Sequence, residues 1–276
     1  MHKNIAIIGC GYIGMEAASI WSKKGYHVTA TTRHPERLQD LATVSQKSQI
    51  LKEHDEETLA LIIAANEILV VTIAADSSDQ YESAYLHTAQ LMRRLASESK
   101  TPRSLIYTSS TSVYGDHQGL WVDESSDLLA STEQGKILID AEKTYLSLQD
   151  FGWHACILRL AEIYGPGREI SQRILSMKGN SLPGSGEQYT NMVHKMDVAS
   201  ALDYALRHHL EGIYNVVDDE HPSRKDLYKQ ISHQCHLRTI HWDPNLTSTH
   251  SGNKRVSNHK IKAAGFTFQF PHRILN

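Results

Sequence analysis

Two clusters in this 276-residue chain hold residue types that do chemistry. The first is Gly9-Cys10-Gly11-Tyr12-Ile13-Gly14, a G-x-G-x-x-G spacing. It follows an apolar run, Ile5-Ala6-Ile7-Ile8, and opens an amphipathic stretch. In that setting each glycine has its own task. Gly9 permits a tight turn, Gly11 lets the backbone approach a diphosphate, and Gly14 lets a helix pack closely on the strand. Backbone N–H groups at the helix start, around Tyr12 and Ile13, then face the anion. The next apolar run ends in Thr31-Thr32-Arg33-His34 and offers no carboxylate for a ribose 2′-hydroxyl. Arg33 offers a planar fork to a 2′-phosphate instead, with Thr32 beside it and Arg37 one helical turn on. The expected cofactor is therefore NADP, preferred over NAD. The second cluster is Ser109-Ser110-Thr111-Ser112, followed by Val113-Tyr114-Gly115. On their own its hydroxyls read as a polar loop capping local backbone groups.

The elements that position these clusters are legible from periodicity. Strands are expected at 5–8, 28–31, around 50–51, 68–73, 104–108 and 156–160. Helices are expected over 12–24, from Asp55 to about 65, over 81–97 and from Ser131 to about 149, the last opened by a Ser131/Gln134 capping box. Continuous apolar strands separated by helices imply a parallel sheet covered on both faces, the doubly wound Rossmann α/β class. Beyond Gly165 the composition shifts to Gly, Pro, Ser and Asn, with helical material at 197–208 and a strand at 213–217. The expected division is a cofactor-binding core of 1–165, to which 197–217 return, and a smaller C-terminal substrate lobe of 166–196 and 218–276.

Bulk composition narrows the function. A hydrophobic share of 40% supplies a core, and a net charge of −3 argues against a general nucleic-acid binder. No apolar run approaches the roughly 20 residues of a membrane span, and the first residues lack a signal-peptide pattern. Three scattered cysteines read as free thiols of a reducing, cytoplasmic compartment. The 17 histidines show no zinc-type spacing, so no metal site is expected.

Taken in order, the motifs resemble the extended or atypical short-chain dehydrogenase/reductases of the NAD-dependent epimerase/dehydratase group. Besides the glycine turn, the segments that carry the resemblance are Ile73-Ala74-Ala75, the run from Tyr107 through Gly115, the run from Arg159 through Arg168, the run from Asn191 through Ala199, and Ile213-Tyr214-Asn215-Val216-Val217-Asp218. The resemblance implies about seven parallel strands and a substrate lobe over their carboxyl ends. It implies that Ser110 stands at the family's catalytic Ser/Thr position, and that Ile73, Ala74, Ala75 and Ser109 pass beside the cofactor. Thr111, Arg168 and Asn191 become substrate-side candidates, a small molecule such as a nucleotide-sugar the expected substrate, and a homodimer the expected assembly.

One family feature is missing. The acid–base pair of the family is a tyrosine followed four residues later by a lysine. Here one register places Gln134 and Leu138 at those positions, and the other Thr132 and Lys136. Neither supplies a phenol, and neither Gln nor an aliphatic Thr hydroxyl replaces one. Tyr114 is the nearest candidate substitute, with His194 and Glu162 behind it. Two readings stand: an oxidoreductase or epimerase/dehydratase with an atypical site, and a non-catalytic NADP(H)-binding sensor or regulatory protein.

Overall fold

The structure, a computed structural model, describes residues 3–99, 101, 103–176, 181–246 and 252–275. Along the chain run β1 (Asn4–Ile8), α1 (Tyr12–Lys23), β2 (His27–Thr32), α2 (Leu38–Ala42), β3 (Lys47–Ile50), α3 (Glu56–Ala65) and β4 (Ile68–Val71). Then come α4 (Thr88–Glu98), β5 (Ser104–Ser110), β6 (Trp121–Val122), α5 (Glu133–Leu146), β7 (His154–Leu160), β8 (Glu162–Tyr164), α6 (Ile170–Ser176), β9 (Ser181–Pro183) and β10 (Met192–His194). The last elements are α7 (Lys195–Arg207), β11 (Gly212–Val216), α8 (Arg224–Gln234), β12 (His241–Asp243), β13 (Arg255–Val256) and α9 (His259–Ala263).

Seven strands form one sheet in the order β11-β7-β5-β4-β1-β2-β3. The β1–β2, β1–β4, β2–β3 and β4–β5 pairs are parallel. This is the doubly wound Rossmann sheet that the alternation of apolar runs and helices implies. After β3 the chain crosses to the other side of β1 to lay down β4, so the winding reverses beside β1. The carboxyl ends of strands at such a reversal are where open α/β sheets bind ligands. The glycine turn, Arg33, Ile73 and Ser110 each follow or end one of these central strands.

Local signals explain most boundaries, and several differ from expectation. Asp55 caps α3 as its sequence suggests, accepting the Thr58 N–H at 3.1 Å. At α5 the cap is Thr132, whose hydroxyl accepts the Gly135 N–H at 3.1 Å, so no Ser131/Gln134 capping box forms. The helix simply starts one residue later, and its third position is Gly135. The helix expected over 81–97 opens with a π-helical stretch, Glu82–His87, which carries Tyr85; the Tyr85 hydroxyl accepts the Ala75 N–H at 3.3 Å. Strand β4 ends at Val71 rather than 73, because Thr72 and Ile73 turn over the glycine corner.

The chain forms two compact units. The first comprises 1–110, 132–159 and 199–214. Its core packs sheet residues such as Ala6, Ile8, Leu69 and Tyr107 against Ile62 of α3, Met92 of α4 and Tyr145 of α5. The second comprises 111–131, 160–198 and 215–276. It contains three two-stranded parallel pairs, β8–β10, β9–β12 and β6–β13, and a core of Tyr164, Ile170, Met192, Leu227, Tyr228, Ile231 and Ile240. The stretch 111–131, expected in the core unit, belongs here because its backbone is zipped to 253–257. The N–H groups of His117 and Gly119 donate to Asn253 O, Arg255 N–H to Leu120 O, and Ser257 N–H to Val122 O. Residues 177–180 and 247–251 of the expected lobe lie outside the described residues. Among the described residues no helix is long and apolar enough to cross a membrane.

Candidate functional site

The glycine corner is built by packing from behind. Gly9 has φ +78°, where a side chain is strained, and a Cβ there would lie 2.9 Å from Ile73 Cα. A Cβ on Gly14 would come within 2.9 Å of Thr72 Oγ1 and 3.2 Å of Ile7 Cγ2. Two threonines brace the turn. Thr31 Oγ1 accepts the Gly9 N–H at 3.1 Å, and Thr72 Oγ1 donates to Gly9 O at 2.9 Å. Gly11 differs: the nearest atom to a Cβ there is Gly9 O at 3.9 Å. The backbone is thus bare on the Gly11 side, at the N-terminus of α1, and the first turn of α1 holds no acidic residue. The first N–H groups of a helix have no intrahelical partner, and the helix dipole favours an anion there. This corner fits a diphosphate. Burial pushes the neighbouring Cys10 thiol up to about 12, so that thiol is not a nucleophile near neutral pH.

Arg33 stands at the end of β2, in an unexpected company of carboxylates. Its Nη1 lies 3.0 Å from Glu53 Oε1, its Nη2 pairs with Asp76, and its Nε lies 3.3 Å from His34 Nε2. Its side chain is 23% exposed, against 59% for Asp76 and 36% for Glu53. Arg37 lies toward α1, with Nη2 3.2 Å from Met15 Sδ. Thr32, expected to touch the cofactor, is buried, and its hydroxyl accepts the His34 N–H at 3.1 Å to fix the turn after β2. Ile73 packs on Gly9, and Ala75 donates to Tyr85, so the 73–75 segment passes beside the glycine corner.

Ser110 ends β5, and Thr111 opens the following 3-10 turn, Thr111–Tyr114. Ser109 has a different task from the expected cofactor contact. Its hydroxyl is buried and donates to Glu142 Oε1 at 2.6 Å. Glu142 in turn receives Arg159 at 3.0 Å (Nε to Oε1) and 2.7 Å (Nη2 to Oε2). The pair is 2% and 3% exposed. Glu142 is therefore the hub of a buried network that ties β5, α5 and β7 together. Of the two registers for the missing pair, Thr132 is the α5 cap and Lys136 is exposed with its ammonium 2.7 Å from Glu133. In the other register, Gln134 is half-buried and Leu138 is buried. The only tyrosine of α5, Tyr145, is in the core against Tyr107, with ring centroids 4.4 Å apart.

The remaining candidates lie in the second unit, and most are structural. Tyr114 is fully buried, and its hydroxyl donates to Asn215 Oδ1 at 2.8 Å, which removes it as a substitute acid. Asn191, expected to offer its amide to substrate, spends it on the chain. Its Nδ2 donates to Lys254 O at 3.0 Å, and its Oδ1 accepts the Val256 N–H at 2.8 Å and faces His221 Nδ1 at 3.0 Å. His194 packs on Phe270, 3.9 Å between ring centroids, and burial lowers its pKa, in keeping with a packing role. Arg168 and Glu162 are exposed. Two features escaped sequence reading. Lys254 is 7% exposed, its ammonium 3.0 Å from Gly115 O, and burial depresses its pKa. Burial and the charges of Arg273 and Arg255 lower His221 to about 4. Among the described residues no three His, Cys, Asp or Glu side chains group to hold a metal ion.

Comparison with known proteins follows the same lines. Residues 5–216 match the NAD dependent epimerase/dehydratase family. Protein YeeZ of Escherichia coli K12 is 31% identical, over 98% of this chain and 97% of YeeZ. A functionally unknown conserved protein from Silicibacter pomeroyi DSS superposes with a TM-score of 0.80 at 25% identity, covering 98% of this chain and 95% of that one. The dTDP-glucose 4,6-dehydratase of Bacillus anthracis, solved with NAD, shares the fold at 18% identity, with a TM-score of 0.80 and coverage of 97% and 92%. With the family matched over most of its length and a relative aligned end to end, this chain belongs to the NAD dependent epimerase/dehydratase family.

Proposed function

We propose that this chain binds NADP(H) at the Gly9–Gly11–Gly14 corner and acts as an oxidoreductase or epimerase/dehydratase on a carbonyl or alcohol carbon. The observation that carries this reading is the bare backbone at the N-terminus of α1, braced by Thr31 and Thr72, with a guanidinium at the end of β2. The amides of Tyr12, Ile13 and Gly14 would hold the pyrophosphate, and Arg33 the 2′-phosphate. Bound there, the nicotinamide supplies the hydride chemistry. Ser110 would hydrogen-bond the reacting oxygen, held in place because its neighbour Ser109 is fixed to Glu142. A nucleotide-sugar is the favoured substrate class by analogy with the fold neighbour that acts on dTDP-glucose.

The test is turnover of NADPH, NADP, NADH and NAD against a panel of carbonyl compounds and nucleotide-sugars. The proposal expects turnover that Ser110→Ala lowers by a factor of about 10² or more. A second reading, a non-catalytic NADP(H)-binding sensor or regulatory protein, has one observation in its favour. In the registers read from the sequence, a half-buried Gln134 or the helix cap Thr132 would take the family's acid position, and neither is a phenol. Tight NADPH binding with no turnover on the panel, unchanged in Ser110→Ala, would select that reading.

A further inference from the structure

The carboxyl ends of β2, β3 and β4, with β1 between β2 and β4 in the sheet, bring one cation and two anions together. Arg33 follows β2, Glu53 follows β3, and Asp76 follows β4 on the segment that passes the glycine corner. Each carboxylate takes a different guanidinium nitrogen: Glu53 lies at Nη1 and Asp76 at Nη2. His34 adds a ring nitrogen 3.6 Å from the same Asp76 oxygen, while its other nitrogen lies 3.5 Å from Glu36. The arginine that would read a 2′-phosphate is thus already engaged by acids of its own chain. Asp76 is the more exposed of its two partners, and an exposed ion pair is held weakly enough to exchange.

We infer that Asp76 gates the Arg33 fork: its carboxylate competes with the cofactor 2′-phosphate and so sets how strongly the chain distinguishes NADP(H) from NAD(H). This rests on the NADP(H) reading above and adds a specificity residue to it. When a 2′-phosphate binds, Asp76 yields Nη2, and Glu53 keeps Nη1 and orients the fork. When the ribose carries only a hydroxyl, Asp76 stays on Arg33 and neutralises it. The discrimination is therefore smaller than a lone arginine would give. Glu53, less exposed and on the other nitrogen, contributes orientation rather than competition.

The experiment is a fluorescence titration of NADPH and NADH into the wild type, Asp76→Asn and the double variant Asp76→Asn/Arg33→Ala, each checked for an unchanged melting temperature. Asp76→Asn is expected to tighten NADPH about five- to tenfold and to leave NADH within about twofold. The double variant is expected to lose that gain, because the fork is gone. If both dinucleotides bind and Asp76→Asn leaves their ratio unchanged, this inference fails alone. It also fails alone if Asp76→Asn weakens NADH, since Asp76 would then hold the ribose hydroxyl itself. If the wild type binds neither dinucleotide, the functional reading falls and this inference with it.

Discussion

Two of the arginine–carboxylate groups in the first unit have similar composition and differ sharply in burial. Arg159 and Glu142, joined by Ser109, are 2% and 3% exposed. Arg33, with Glu53 and Asp76, is 23% exposed, and its partners more so. The buried group cannot exchange partners, because removing either charge strands the other in a low dielectric. It serves as a fixed joint between β5, α5 and β7. In the exposed group water screens each pair and partners exchange at little cost, which suits a site that must accept a ligand anion. On the proposed reading, the same side-chain chemistry serves architecture in one place and would serve recognition in the other, with burial deciding which.

The sharpest way to break this contrast is at the buried joint. Glu142→Leu should lower unfolding stability by about 3–5 kcal/mol in urea titrations, while Glu142→Leu/Arg159→Met should recover most of that loss. A single-variant loss below about 1 kcal/mol would remove the distinction. The glycine corner offers a second contrast, between a packed and a bare glycine. Gly14→Val should cost about 1–3 kcal/mol, because its Cβ meets Thr72 and Ile7, whereas Gly11→Val should keep its melting temperature. At the exposed group, Arg33→Ala should weaken NADPH about tenfold or more and change NADH less than threefold, at a stability within about 0.5 kcal/mol of wild type.

The smallest effect concerns His221, a half-buried group that sides with the structural joint. Its folded pKa of about 4 lies below the ordinary histidine value, so folding favours the neutral ring. The unfolded chain takes up the proton first as pH falls. Stability is thus complete above about pH 6.5 and declines as pH drops toward 4. After allowance for partial exposure, the stability difference between wild type and His221→Gln should shrink by about 1 kcal/mol between pH 7 and 4.5. A difference constant with pH would show that the ring is not held neutral.

What the sequence made legible follows the same division. The glycine corner and the Asp55 cap are local signals that form where the residues indicate, and the strand periods mark every strand of the central sheet with shifted ends at β3 and β4. The sheet class follows from those periods together with the switch-point rule. What could not be read depends on pairings between distant segments. Nothing near Tyr114 reveals that its phenol meets Asn215, nothing near Asn191 reveals the 254–256 backbone, and nothing near Arg33 reveals Glu53 or Asp76. The stretch 111–131 was misplaced for the same reason, since its partners are at 253–257. Thr132 shows a subtler limit: where adjacent Ser and Thr can both cap a helix, composition does not choose between them.

The central claim is that the bare backbone at Gly11 receives a dinucleotide. Calorimetric titration of NADPH into the wild type and into Gly11→Val, both folded by melting temperature, tests it most directly. The account predicts a saturable one-to-one heat for the wild type and none for Gly11→Val. No heat from wild-type protein with either NADPH or NADH, or equal heats from both proteins, would contradict it.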